Sequence, residues 1–322
     1  MPSEFALIRR HFTRPARHTD LAVGDDAALI RPSAGMQLAI STDMLVAGTH
    51  FFADTDPEDL GWKTLAVNVS DLAAMGAAPR WVVLAASLPA ADEAWIAAFA
   101  RGFFACSEAF GIDVIGGDTT RGPLNLCPTI FGEVPVGQAI TRAGARPGDD
   151  LWISGAPGRA ALGLAQLRGE ATLAGADRAD CLAALHRPQP RVALGLALRG
   201  LASSLLDVSD GLLADLGHIA ERSRLRLEIN ALQLPHLPPG VDPLRAQRCQ
   251  LAGGDDYELA FTAAPEKRPA LATLAARLDL PLWRIGWTRA LHDTPPGVTV
   301  LDADGQPLSL NHTGFDHFAQ KT

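Results

Sequence analysis

Cysteine is scarce in this chain, with four in 322 residues, and tyrosine scarcer, with one. Cys106, Cys127, Cys181 and Cys249 lie far apart and form no CxxC pair. That excludes a disulfide framework or a ribbon-type zinc site and fits a reducing, cytoplasmic setting. No apolar run approaches the ~20 residues that a membrane-spanning helix needs. The opening MPSEFALIRRHF has no apolar core followed by a small-residue cleavage site, so no secretory leader is expected. Positive charge is also short. Lys and Arg number 28 against 36 Asp and Glu, a net charge of −8, which argues against a surface that tracks DNA or RNA phosphates. GxxxxGK[ST], the protein-kinase motif set and the GxSxG elbow are all missing. GIDVIGGDTTRG departs from the dinucleotide fingerprint, because an acid follows the paired glycines where a third glycine is required. The histidines show no HxxxH spacing, so no zinc site is expected.

What is present is ample apolar material, 48% of the residues, and a length that suits two domains with a full core each. Strand-like runs alternate with helical ones. MQLAIST (36–42) reads as a strand. Asp56-Pro57-Glu58-Asp59 reads as a helix start, with an Asp N-cap, Pro in the first turn and acids at the positive helix end. WVVLAAS (81–87) is a strand, DEAWIAAFARGFFACSEAF a long helix ending at Gly111, and IDVIGG a buried strand. LCPTIFGEV is a further strand, which Pro128 marks as an edge or a bulge. The pattern restarts at ARPGDDL (145–151), and the alternation predicts α/β architecture. The boundary falls near 138–148, giving an N-terminal domain over 1–140 and a C-terminal domain over 141–322.

The placement of the aspartates is the unusual feature. Gly24-Asp25-Asp26 sits in a loop, Ser41-Thr42-Asp43 ends a strand, and Asn68 and Asp71 lie three apart on one helix face. Gly116-Gly117-Asp118 ends another strand, Asp207, Ser209 and Asp210 mark a strand-to-helix junction, and Gly253-Gly254-Asp255-Asp256 opens a later strand. Acids placed after strands gather where α/β folds hold ligands. Carboxylates crowded without a cation raise one another's pKa. Magnesium resolves this with a few carboxylates, water and phosphate oxygens, and flanking glycines let backbone N–H groups approach phosphate. Each motif also has a plain reading. Gly-Asp-Asp alone is commonly a turn, Asp207 and Asp210 serve equally as helix caps, and His50 alone reads as a packing histidine. Pro147-Gly148-Asp149-Asp150 is read as a turn.

Taken in order, VGDDAAL, AISTDMLVAGTHF, KTLAVNVSDLAAMGA, IGGDTTRG, ITRAGARPGD, LDVSDGLLADLGHIA, GGDDYEL and GFDHF resemble the thiamine-monophosphate kinase family, within the superfamily of aminoimidazole ribonucleotide synthetase and selenophosphate synthetase. The motifs span almost the whole chain. The family's glycine-glycine-glutamate-aspartate is Gly253-Gly254-Asp255-Asp256 here, one methylene shorter at Asp255. The resemblance implies a two-domain α/β (α+β) architecture with mixed sheets flanked by helices, a homodimer paired through the N-terminal sheets, and ATP-dependent phosphorylation of thiamine monophosphate to thiamine diphosphate. Asp26, Ser41, Thr42, Asp43, Asp71, Asp118, Asp207 and Asp210 match the family's magnesium set, with Asp43, Asp71, Asp118 and Asp207 at the transfer itself. Gly117, Asp118, Arg142 and Ser209 match its nucleotide contacts, and His50, Glu258 and Phe315 its substrate contacts. Unaided by the resemblance, Phe315 reads as a core anchor and Glu258 as a solvent-facing strand residue.

The acceptor is already a phosphate oxygen, so neither a general base nor a phosphoryl-enzyme is required. The implied reaction is direct in-line transfer between phosphates held by several magnesium ions, with Arg142 offering a planar fork to the nucleotide. Selenophosphate synthetases carry a reactive cysteine or selenocysteine near the N-terminus, where this chain has none before Cys106. A hydrogenase-maturation relative would end in cysteine, whereas this chain ends Gln320-Lys321-Thr322. The GTHF, DVSDGL and GGDDYEL pieces favour the kinase over aminoimidazole ribonucleotide synthetase. A non-catalytic sensor would have lost a metal aspartate, and all the expected ones are present.

Overall fold

The computed structural model describes residues 4–308, 314–315 and 317–318. Two compact units result: the chain through Leu72 together with Ala77–Ala139, and Ala73–Gly76 together with the chain from Ile140 onward.

The first unit opens with α1 (Glu4–Leu7) and a small pair, β1 (Thr19–Leu21) on β2 (Leu29–Ile30). Then come β3 (Met36–Thr42), β4 (Leu45–Val46), α2 (Pro57–Ala74), β5 (Ala78–Leu88), α3 (Glu93–Phe110), β6 (Asp113–Arg121) and β7 (Asn125–Pro135). Asp56 caps α2 as expected, its Oδ1 accepting the N–H groups of Glu58 at 2.8 Å and Asp59 at 3.1 Å. Asp92 does the same for α3, which stops at Gly111 in the left-handed conformation at φ 67°. The sheet runs β3-β7-β5-β6, with β4 also on β7. Only the β5–β6 pairing in it is parallel. Val82, Leu84, Ala86 and Leu88 of β5 are buried while Ala85 between them is exposed. One face of the sheet is therefore covered and the other open. The helices meet where side chains vanish: a Cβ on Gly102 would lie 1.7 Å from the Glu58 carbonyl oxygen, and one on Gly61 2.0 Å from that of Phe99.

Pro128 lies in an internal strand, not at an edge. The sheet tolerates it because β3 stops at Thr42 opposite Thr129 and β4 resumes opposite Leu126. Pro128 thus falls in a gap where a missing N–H breaks no ladder on that side.

The second unit contains β8 (Asp150–Ser154), α4 (Arg159–Leu167), α5 (Gly175–His186), α6 (Val192–Ala197), β9 (Ser204–Asp207), α7 (Leu212–Ser223) and β10 (Arg226–Asn230). It continues with α8 (Pro243–Ala252), β11 (Leu259–Ala263), α9 (Arg268–Leu278), β12 (Leu282–Arg289) and β13 (Gly297–Leu301). Its sheet runs β13-β10-β12-β8-β11-β9, antiparallel apart from β10 on β13. Strand alternation divides two apolar layers. Ile153, Leu206, Ala260, Leu227 and Ile285 pack with Leu212, Leu216 and Ile219 of α7. Leu205, Leu259, Phe261 and Ala263 pack on the other side with Leu194, Leu198, Leu271 and Leu274. The resulting mixed sheets flanked by helices are the α/β architecture expected. Among the described residues, no helix is long and apolar enough to cross a membrane. Pro147 and Gly148 do form a turn. Asp149 closes it by accepting the Arg146 N–H at 2.9 Å, and Asp150 pairs with Arg268 at 2.6 Å.

Candidate active site

In the first unit, the end of β3 meets α2. The Ser41 hydroxyl donates to the Asp71 carboxylate. The Asp43 N–H donates to Asn68 Oδ1 at 3.0 Å, and Asn68 Nδ2 donates in turn to the Thr64 carbonyl at 3.4 Å. Asn68 is fully buried, so it is fixed by these bonds and fixes Asp43 through them. The helix face shared by Asn68 and Asp71 is thus the face that receives β3.

Thr42 and Asp118 belong to the other side of the sheet. Thr129 Oγ1 donates to Thr42 Oγ1 at 3.1 Å, and Thr42 Oγ1 donates to the Pro128 carbonyl at 2.9 Å. Asp118 stands opposite Ala85, which stands opposite Cys127, and Cys127 Sγ lies 3.6 Å from Thr42 Oγ1. These pairings place Asp118 on the open face, three strand spacings from β3, about 14 Å along the sheet. The unit therefore brings Ser41, Asp43 and Asp71 together and holds Asp118 apart from them. Asp26 is exposed in the loop between β1 and β2, its N–H donating to Asp25 Oδ1 at 2.9 Å. Gly117 is required beside Asp118: its φ is +154° and a Cβ would lie 2.0 Å from the Leu84 carbonyl oxygen. His50 Nδ1 accepts the Val46 N–H at 2.9 Å, which leaves the proton of the neutral ring on Nε2.

In the second unit, Asp207 ends β9 and is 5% exposed. The loop after it is bound on every side. Val208 donates to the Glu258 carbonyl at 2.8 Å and accepts from Tyr257 at 2.8 Å. The Ser209 carbonyl accepts from Asp255 at 2.8 Å, and that of Asp210 from Phe315 at 2.9 Å. Gly254 permits the approach, since a Cβ there would lie 2.3 Å from the Ser209 carbonyl oxygen. Asp255, at φ 69°, holds its left-handed conformation with its carboxylate accepting from Tyr257 Oη at 3.1 Å. Asp256 turns the other way and accepts from the N–H groups of Gly158 at 2.6 Å and Ala160 at 3.3 Å, at the start of α4. Loss of water contact pushes its pKa up, although those two N–H groups oppose the shift.

Asp215, absent from the sequence expectation, lies beneath this loop. Burial, then the charges of Asp207 and Asp210, push its pKa up to about 7 from an ordinary 3.8. A carboxyl whose folded pKa is raised contributes stability below its unfolded pKa and loses it as pH rises through the folded one. In EDTA, the urea midpoint of the wild type relative to that of Asp215→Asn is therefore expected to fall between about pH 4 and about pH 7. A difference that is flat or rises with pH would show that folding does not raise the pKa of Asp215. A pattern in the sequence does mark this residue, because Asp215 shares the buried face of α7 with Leu212, Leu216 and Ile219.

Glu258 is enclosed, not solvent-facing. Arg191 donates to both of its oxygens, at 2.7 and 2.5 Å, and the Ser154 hydroxyl donates at 2.5 Å. Arg142 is exposed, and its carbonyl accepts from Ser223 Oγ at 3.1 Å. Phe315 is 50% exposed. Among the described residues, no three His, Cys, Asp or Glu side chains converge closely enough to hold a metal ion by themselves. The donors are nevertheless hard oxygens, the Asp71 carboxylate beside the Ser41 hydroxyl and the Thr42 hydroxyl on the other face. That set fits magnesium, which takes one or two carboxylates and completes its shell with water and substrate phosphate.

Residues 24–134 match the N-terminal domain of AIR synthase related protein, and residues 146–294 match its C-terminal domain. The thiamine-monophosphate kinase of Escherichia coli K12 is 46% identical over 323 residues, covering 98% of each chain. The chain belongs to the thiamine-monophosphate kinase family. The crystal structure of the thiamine-monophosphate kinase from Stenotrophomonas maltophilia K279a superposes with a TM-score of 0.85 at 49% identity, covering 95% of this chain and 98% of that one. A structure of AaThiL complexed with AMPPCP and TMP superposes at 0.77 with 28% identity, covering 98% and 97%. Within the kinase family frame, the first matched domain holds the aspartates from Asp26 to Asp118, and the second holds Asp207, Ser209, Asp210 and Glu258. Arg142 and Phe315 fall outside both matched ranges.

Proposed function

We propose that this chain transfers the γ-phosphoryl group of ATP directly to thiamine monophosphate, giving thiamine diphosphate and ADP. The observation that carries the reading is 46% identity to a thiamine-monophosphate kinase over 98% of both chains. The neighbour bound to AMPPCP and TMP supports the choice of donor and acceptor. Both reactants are anions, so alignment and charge compensation are the obstacles, not nucleophile activation. In the first unit Asp26, Ser41, Thr42, Asp43, Asp71 and Asp118 would hold magnesium, and in the second Asp207 and Asp210 would. When bound, magnesium supplies charge neutralisation at the phosphoryl oxygens. Ser41 orients the Asp71 carboxylate, and Asn68 sets the backbone of Asp43.

Gly117, Arg142 and Ser209 contact the nucleotide, Arg142 as a fork toward phosphate. His50 presents its Nε2–H to an acceptor oxygen of the substrate, and the half-exposed Phe315 offers a stacking face. Glu258, enclosed as it is, contributes by orienting the guanidinium of Arg191.

A second copy of the chain fits β3. Met36, Leu38 and Ile40 alternate along this edge strand, exposed by 37%, 36% and 59%, and a flat apolar edge invites pairing. The four cysteines are free thiols, three of them buried, as suits a cytoplasmic enzyme.

Incubation with ATP, magnesium and thiamine monophosphate is expected to give thiamine diphosphate and ADP in equal amounts. A trapped phosphoprotein would overturn direct transfer. Turnover of an aminoimidazole precursor in place of thiamine monophosphate would reassign the reaction.

A further inference from the structure

We propose that Asp215 is the positioning residue that shapes the 208–210 loop for cation binding, and that it does so by turning the start of α7 away from anions. The inference rests on the magnesium-site reading given above. One oxygen of Asp215, Oδ2, accepts three consecutive backbone N–H groups: Ser209 at 3.0 Å, Asp210 at 3.1 Å and Gly211 at 3.1 Å. Consecutive N–H groups at the start of a helix ordinarily form a concavity for phosphate or another anion. Here an internal carboxylate, 4% exposed, fills that concavity. The three amides are used up beneath the loop. Above them stand Ser209 and Asp210, both half-buried and both carrying side-chain oxygens, next to Asp207 at the strand end.

The loop's other restraints show why Asp215 matters more than its neighbours. Both backbone polar groups of Val208, Ser209 and Asp210 are bonded. The carbonyls accept from Tyr257, Asp255 and Phe315, and Val208 donates to Glu258, all through backbone atoms. The N–H groups of Ser209 and Asp210 are the exception, because their partner is a side chain. Substitution at Asp215 therefore releases the loop from one side while leaving the surrounding backbone ladder in place. The N–H groups of Ser209 and Asp210 both end on this one oxygen of Asp215. Loss of those bonds lets the loop turn its amides outward, and the carboxylate of Asp210 leaves its place.

The test is equilibrium binding of Mn2+ to the full chain in the presence of a non-hydrolysable ATP analogue, followed by electron paramagnetic resonance, together with kcat and KM. Asp215→Ala is expected to weaken Mn2+ binding at least about 10-fold and to lower kcat more than it raises KM for the acceptor. Asp215→Asn keeps one acceptor oxygen for the three N–H groups and is expected to stay within about 3-fold of wild type in Mn2+ affinity. Wild-type Mn2+ affinity in a folded Asp215→Ala chain would reduce the residue to a structural cap and overturn the proposal. If the alanine variant does not fold, Asp215→Glu decides: it keeps the charge but displaces the oxygen by a methylene. Weakened Mn2+ binding in that variant upholds positioning, and unchanged binding overturns it. A wild-type chain that binds Mn2+ with nucleotide but makes no thiamine diphosphate would remove the acceptor assignment and leave the positioning role standing. A wild-type chain that binds no Mn2+ would remove both the metal reading and the role built on it.

Discussion

Asp207→Asn is expected to lower kcat by about 100-fold or more, while the cation-free chain becomes harder to unfold. The first effect follows from removing one preorganised charge from a phosphoryl-transfer site, where single electrostatic groups are worth about 10²–10³ in rate. The second follows from the neighbourhood. Asp207 ends β9 at 5% exposure, and its charge is the second largest cause, after burial, of the raised pKa of Asp215. Three carboxyls, Asp207, Asp210 and Asp215, share this corner, and their mutual repulsion costs stability until a cation arrives. Asparagine keeps the shape and removes the charge. Thermal melts in EDTA should therefore place the variant above the wild type, and saturating magnesium with nucleotide should narrow or reverse that order, because the wild type alone gains full binding energy. Two results would remove Asp207 from the metal set: near-normal turnover, or an EDTA melt below wild type that magnesium leaves unchanged.

The aspartates at strand ends were legible in the sequence because strands and turns are local. MQLAIST, the capped start at Asp56 and the LLDVSDG junction each declare themselves within a few residues, and β3, α2, β9 and α7 follow. Two kinds of information were not local. Register decides which face a side chain takes. Ser41 and Thr42 are adjacent in sequence, yet one bonds Asp71 beneath the sheet and the other bonds Thr129 on the open face. Strand order decides distance. Asp118 follows its paired glycines as neatly as Asp43 follows Thr42, yet β7 and β5 stand between their strands. Pro128 misled for the same reason, since only the gap between β3 and β4 makes an internal proline harmless. Buried acids were the other omission. Asp215 was passed over although it lies on the apolar face of α7, Asp256 was read only as part of a loop motif, and the worth of both lies in backbone N–H groups supplied by Ser209 to Gly211 and by Gly158 and Ala160.

Arg191→Ala is expected to destabilise the chain by about 3–5 kcal/mol, the loss typical of stripping one partner from a buried ion pair. Glu258 is 8% exposed at its side chain and Arg191 26%, so the upper half of that range requires the carboxylate to stay enclosed once the guanidinium is gone. Its surroundings argue that it does stay trapped. The Ser154 hydroxyl donates to one oxygen, and the same hydroxyl accepts the Leu259 N–H at 2.9 Å, tying β8 to the start of β11. Gly155 leaves no slack, since a Cβ there would lie 1.9 Å from Glu258 Oε1. The deficit of Arg191→Ala should therefore appear as a lowered midpoint in urea melts at neutral pH. Pairing it with Glu258→Gln should recover part of the loss at neutral pH by removing the stranded charge, a non-additivity that a double-mutant cycle reads directly. A single-variant loss below about 1 kcal/mol would place the pair among solvent-screened surface bridges. Strict additivity would mean that the two residues act on stability separately. Either result would also end the view that Glu258 reaches the substrate through the guanidinium it holds, because an Arg191 that Glu258 does not hold in place has no fixed fork to offer.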